Sequence, residues 1–101
     1  KGNDDGQAFF GILEGALATE DGGPIEADEA AAIALTVIDI IKSHHIVDVW
    51  SNDIAQNKMR NAIDDYFFDV LRDERGVALP VEVMDDLELK IMDLARARFP
   101  G

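Results

Sequence analysis

Acidic residues supply most of the groups that could do chemistry in this chain. Glu88-Leu89-Lys90 matches the bare E-x-K of metal-dependent nucleases, with Asp85 and Asp86 just upstream. Such a site needs its carboxylates and lysine to converge around a magnesium ion at strand ends. Here the residues fall inside a predicted helix, where neighbours point about 100° apart, so the expectation is a solvated charged face. Residues 18–29 echo a calcium loop, with Gly23, Ile25 and Glu29 at the sixth, eighth and twelfth positions. Ala18 and Gly22 stand where oxygen ligands are needed, so no calcium site is expected. His44 and His45 adjoin, with Asp48 nearby, but a third histidine is lacking and a metal needs three or four converging ligands. They read as histidines favourably placed at a helix C-terminus. Asp64-Asp65 diverge on a helix and cannot face one substrate together, as paired acid–base catalysis requires. No Gly-rich phosphate loop, G-x-S-x-G or cysteine nucleophile is present. No catalytic residue, cofactor site or metal site is assigned.

One pattern resists a bland reading. The inner stripe of the helix that carries Asp64 is Met59, Ala62, Ile63, Tyr66, Phe67, Val70 and Leu71. That leaves Phe68 on the opposite side, with Asn57, Asn61, Asp64, Asp65 and Arg72. An aromatic ringed by amides and charges suggests a partner contact; a helix sandwiched on both sides, with Phe68 in the core, would give the same pattern. Leu89, among Glu82, Asp85, Asp93 and Arg96, poses the same choice.

The elements that position these residues are helices. After a frayed lead-in, Lys1 to Gly6, the first is expected from about Gln7 to Ala18, with Phe9, Leu13, Ala16 and Leu17 inward. A loop with Gly22 and Gly23 follows, and Pro24 opens the second helix, which runs from about Ile25 to His44. Ala30, Ile33, Ala34, Val37, Ile38, Ile40 and Ile41 cover well over half its circumference, which places it at the centre of the domain. Residues 46–50 form a short non-helical connection. Ser51 or Asn52 caps the third helix, which ends near Glu74 before Gly76. Pro80 opens the fourth, ending near Phe99, with Val83, Met84, Leu87, Ile91, Leu94 and Ala95 inward. The expected fold is all-α: a small bundle of about four helices with short links, forming one domain over residues 7–101.

Composition narrows the function classes. The 101 residues suit one domain, and 48% of them are apolar, enough for a modest core. Acids outnumber bases 21 to 9, for a net charge of -12. That field repels phosphate, so direct DNA binding is not expected, whereas a basic protein surface is a natural partner. The absence of cysteine fits a reducing cytoplasm, and no apolar run approaches the roughly 18 residues of a membrane span. The chain opens on Lys1 without a signal-peptide pattern and reads as a piece of a longer protein.

The stretch His44-His45-Ile46-Val47-Asp48-Val49-Trp50, followed by Asp53-Ile54-Ala55-Gln56-Asn57-Lys58-Met59-Arg60-Asn61-Ala62-Ile63-Asp64-Asp65-Tyr66-Phe67-Phe68-Asp69, resembles the C-terminal helical region of the R subunit of type I restriction–modification enzymes. That pattern has a V-D-W element, a D-x-Q-N-x-M-x-N-x-I-D-D-Y-L-x-D helix and a final helix. Residues 44–99 carry the likeness, with Val49 intervening between Asp48 and Trp50 and Ala55 where many relatives have a bulkier residue. The resemblance implies a parent that is an ATP-dependent DNA translocase and endonuclease, its ATP and magnesium sites upstream of this segment. It implies a non-catalytic, cytoplasmic domain that docks the motor onto the methyltransferase and specificity subunits. The alternative is an unrelated small acidic helical interaction module.

Overall fold

The structure, a computed structural model, describes residues 3–101. Four helices dominate it: α1 (Asn3–Ala16), α2 (Ala27–His44), α3 (Asp53–Asp65) and α4 (Val81–Arg98). The chain is all-α, a small helical bundle, apart from one two-stranded link. In that link β1 (Ala18–Thr19) pairs antiparallel with β2 (Val77–Ala78), with Thr19 opposite Val77. It ties the α1–α2 loop to the turn before α4.

α1 packs on both α2 and α4, and α3 packs on the same two, so the helices surround one core in chain order. Phe9, Leu13, Ile33, Val37, Ile41, Met59, Ile63, Phe67, Leu71, Leu87 and Ile91 are all fully buried there. These are the inward positions that helical spacing predicts on each element. α2 is one wall of this ring rather than its centre. Its buried face takes Ala30, Ile33, Ala34, Val37, Ile38 and Ile41, while Leu35 is exposed.

Several boundaries differ from expectation. α1 begins at Asn3, so Asn3–Gly6 is helix rather than lead-in; Lys1 and Gly2 lie outside the described residues. Asp4 and Asp5 sit in its first turn, where carboxylates favour the helix dipole, and Asp5 pairs with Arg98 of α4 at 3.5 Å. α1 stops at Ala16 because Ala18 and Thr19 enter the β link. Pro24 does not open α2. It faces Ala18 in an isolated bridge, and buried Ile25 anchors an extended lead-in that ends at Glu26. The connection at 46–50 is partly helical, because Val49–Ser51 forms a 3-10 turn.

α3 starts where Asn52, one of the two candidate caps, accepts a hydrogen bond from the Ala55 N–H at 3.0 Å. Beyond Asp65 the helix continues as a π-wound segment, Tyr66–Glu74, where the Arg75 N–H donates to the Val70 carbonyl at 3.0 Å. The stripe explains the winding. Ala55, Met59, Ile63, Phe67 and Leu71 are buried at strict intervals of four. At roughly 3.6 residues per turn, each step of four rotates an α-helical stripe by about 40°, away from the core. Wider i→i+5 winding holds more residues per turn and brings the stripe back. Gly76, at φ 70°, then ends the segment, since glycine takes the left-handed region without penalty.

The resembling V-D-V-W stretch has a structural task. Asp48 takes a left-handed conformation, φ 62°, and its N–H donates to the Gly101 carbonyl at 2.9 Å. Val49 is fully buried, and Trp50 Nε1 donates to the Phe99 carbonyl at 2.8 Å. Asp48→Gly should therefore raise stability by about 0.5 kcal/mol, because glycine adopts this φ freely and keeps the N–H. Urea unfolding of the two proteins checks it.

Candidate functional site

The two adjacent histidines are committed to backbone groups. His44 Nδ1 lies 2.9 Å from the Ile40 carbonyl and His45 Nε2 lies 2.7 Å from the Phe99 carbonyl. A carbonyl only accepts, so each of these ring nitrogens carries the proton, and the pair caps α2 and holds the C-terminal segment. The calcium-like segment is spent on a tight turn. Thr19 N–H donates to the Gly23 carbonyl at 2.8 Å and Gly22 N–H to the Thr19 carbonyl at 2.9 Å. Among the described residues no group of three or more histidines and carboxylates converges as a metal would need.

The E-x-K triplet is split by the fold. Lys90 Nζ pairs with Asp86 at 3.0 Å on the surface, whereas Glu88 is only 2% exposed. The expectation of a solvated face is therefore wrong for Glu88. Its position explains why: it lies one residue after Leu87, four after Met84 and three before Ile91, inside the buried stripe of α4. That periodicity was available in the sequence, and a glutamate on an apolar stripe is the signal that would have found it.

Glu88 meets α3 in a polar seam. Arg60 Nε donates to Glu88 Oε1 at 3.2 Å. Glu88 Oε2 is buried with no donor in contact. Burial, followed by the Asp64 carboxyl, pushes the Glu88 carboxyl up from 4.5 to about 7, and the Arg60 guanidinium only partly offsets them. A second tie, nearer α2, is Tyr66. Burial raises its hydroxyl above the usual 10.0, against a lowering hydrogen bond with Thr36 of α2.

The face around Phe68 lies outside the seam. Asn57, Asn61, Asp65 and Arg72 are exposed, and Phe68 is 45% exposed, so Phe68 is not core. The Arg72 guanidinium sits 5.1 Å from the centre of the Phe68 ring, which keeps a cation over the aromatic face. Asp64 departs from the other five in being half-buried. Leu89, 55% exposed, is likewise outside the core. It shares a groove of roughly 210 Å3 with Gln56, Asn57, Arg60, Asp93 and Arg96, so α3 and α4 contribute to one surface.

No family model, curated protein or solved structure matches the chain.

The outer face of α3 is a mixed polar and apolar surface. Its exposed groups are an aromatic with a stacked arginine, a leucine, amides and carboxylates, the mixture typical of a polar interface with few apolar anchors. Arg60 and Glu88 escaped sequence reasoning because each lies among residues that suggest other roles, and only the antiparallel approach of α4 to α3 brings them together.

Proposed function

We propose that this chain is a non-catalytic assembly domain whose partner face is the outer side of α3 and its π-wound continuation, extended onto α4 at Leu89. The observation that carries this reading is the half-exposed Phe68 with Arg72 over its ring, set among Asn57, Asn61 and Asp65. A half-exposed aromatic in a polar surround is the usual anchor of a protein contact.

The resemblance over residues 44–99 names the assembly. In that reading the chain is the C-terminal helical domain of a type I restriction R subunit, and it docks an ATP-dependent DNA translocase and endonuclease onto the methyltransferase and specificity subunits. ATP and magnesium then belong to the parent's upstream domains, and the complex works in the cytoplasm. The net charge of -12 supports a protein partner over DNA, because an acidic domain does not compete for the duplex with its own motor. No helix among the described residues is long and apolar enough to cross a membrane.

The test is Phe68→Ala with Asp65→Ala in the full subunit. Both side chains are exposed, so stability should change by no more than about 0.5 kcal/mol. Association with the methyltransferase–specificity core should weaken at least about tenfold, as loss of an interface anchor does. Undiminished association with the fold intact would remove this face from the reading. A parent sequence without a nucleotide-binding phosphate loop and nuclease motif would remove the restriction subunit itself.

A further inference from the structure

The groove between α3 and α4 has polar walls that other residues hold in place. Arg60 is tethered through Nε to Glu88 at 3.2 Å, and Glu88 is 2% exposed, so a buried carboxylate fixes the guanidinium. The Arg96 guanidinium lies 5.6 Å from the centre of the Trp50 ring, and Trp50 Nε1 in turn donates to the Phe99 carbonyl at 2.8 Å. Gln56 Nε2 donates to the Val49 carbonyl at 3.0 Å, which leaves Gln56 Oε1 as an acceptor. Arg60, Arg96 and Gln56 all line one groove of roughly 210 Å3, with Leu89 and half-buried Met92 as its apolar part. The tethers leave donors unused. Arg60 keeps both Nη nitrogens, Arg96 keeps its whole fork, and among the described residues no further carboxylate pairs with either. Asp93 lines the same groove, so two cations there face one acid. In a chain of net charge -12 that is a local reversal of sign.

We propose that this groove takes one acidic side chain of a protein partner, its carboxylate held by Arg60 and Arg96 and its methylenes laid against Leu89 and Met92. The inference rests on the partner face proposed above and names what that partner must present there. Size favours a side chain over a cofactor, because small-molecule pockets span about 300–1,000 Å3. Chemistry favours a carboxylate. Guanidinium donors match its two oxygens in pairs, and arginines already held in place lose little freedom on binding. Asp93 discriminates against phosphate, whose charge of about -1.5 to -2 it opposes more strongly than the single charge of a carboxylate. Gln56 Oε1 is the acceptor for a backbone N–H of the same segment. Elsewhere the acidic surface attracts basic groups, so the partner is a basic surface that carries one acid. That acid fixes the register, because a base set against Arg60 and Arg96 is repelled.

NMR titration of this chain with N-acetyl-leucyl-glutamyl methylamide tests it, at about 0.15 M salt, where charges beyond about 8 Å are screened. The Nε–H signals of Arg60 and Arg96 and the side-chain amides of Gln56 and Asn57 should shift and saturate at millimolar probe. The glutamine analogue of the probe should bind at least about tenfold more weakly. Inorganic phosphate should not displace the glutamate probe at equal concentration. Arg96→Gln should cost about tenfold in probe affinity. Asp93→Asn should tighten binding about threefold, a gain that no packing role produces. Both residues are exposed, so both variants should keep the fold. Equal binding of the glutamine analogue, displacement by phosphate, or no shift by about 20 mM probe would each overturn the proposal. So would a probe affinity unchanged in Arg96→Gln or in Asp93→Asn. The titration does not involve Phe68, so its failure and undiminished association of Phe68→Ala with Asp65→Ala are separate results. The first removes the acidic anchor, and the second removes the face as a partner surface.

Discussion

Arg60→Met should destabilise the chain by about 2 kcal/mol at pH 8 and by roughly half that at pH 5. Methionine keeps most of the arginine stem's packing but removes the cation that pairs with Glu88 at 3.2 Å. Loss of one partner from a fully buried ion pair is costlier, because the survivor is left charged and dry. Arg60 is 40% exposed, so solvent screens part of the interaction and the smaller figure applies. The pH dependence follows from Glu88, whose carboxyl titrates at about 7 in the fold against 4.5 ordinarily. The folded chain thus holds a proton that the unfolded chain has released. The stabilisation this brings is complete below about pH 4.5 and is lost as pH rises through about 7. At pH 5 Glu88 is neutral, so losing Arg60 costs one hydrogen bond; at pH 8 it also leaves an unopposed charge. Urea unfolding at the two pH values measures the difference. In the double variant Arg60→Met, Glu88→Gln, most of the pH 8 loss should be recovered, because no buried charge remains to be matched. Equal losses at both pH values would place the effect in packing alone.

Phe99→Ala should cost about 2–3 kcal/mol, through the aromatic contact and the space left behind. The Phe99 ring stacks on buried Phe9 of α1 at 6.2 Å, and Lys42 of α2 lies 5.7 Å from its centre. Its carbonyl accepts from both His45 and Trp50. One residue after α4 therefore ties α1, the end of α2 and the 3-10 turn together. Without the ring, the carbonyl is free to drift from both donors. Trp50, with Arg96 5.6 Å from its ring centre, reports that drift directly. Thermal unfolding should show the loss of stability, and the tryptophan emission should shift to the red as Nε1 turns to water. Phe99→Leu, which keeps apolar bulk but not the stack, should lose about half as much. An unchanged emission spectrum in Phe99→Ala would mean that the carbonyl is held by the backbone and not by the ring.

The helix count, the inward stripes and the capping of α3 by Asn52 were legible because each depends on local spacing. A 3.6-residue apolar period, a side-chain acceptor before a helix and a glycine after one act within a few residues. The side of the helix that carries Phe68 was legible for the same reason, but a sandwiched helix gives the same pattern, and only the fold showed that side to be exposed. What the sequence could not show depended on residues far apart along it. The link between Thr19 and Val77 joins segments that carry no strand pattern, and it moved the end of α1 and the start of α2. The π winding of Tyr66–Glu74 answers to the core's demand for burial at intervals of four, a demand that α3 cannot see alone.

The candidate contact face divides along the same line. Sequence alone determined an acidic, all-helical chain and the grouping of Asn57, Asn61, Asp65, Phe68 and Arg72 on one side of a helix, because helical geometry fixes which neighbours share a face. Only the tertiary structure decided that Asp64 is half-buried while the rest of that group is exposed, and that buried Glu88 meets Arg60. A carboxylate's state depends on what lies across the helix interface, on how much water remains there and on which charges answer it. Those conditions exist only once α4 has folded back against α3.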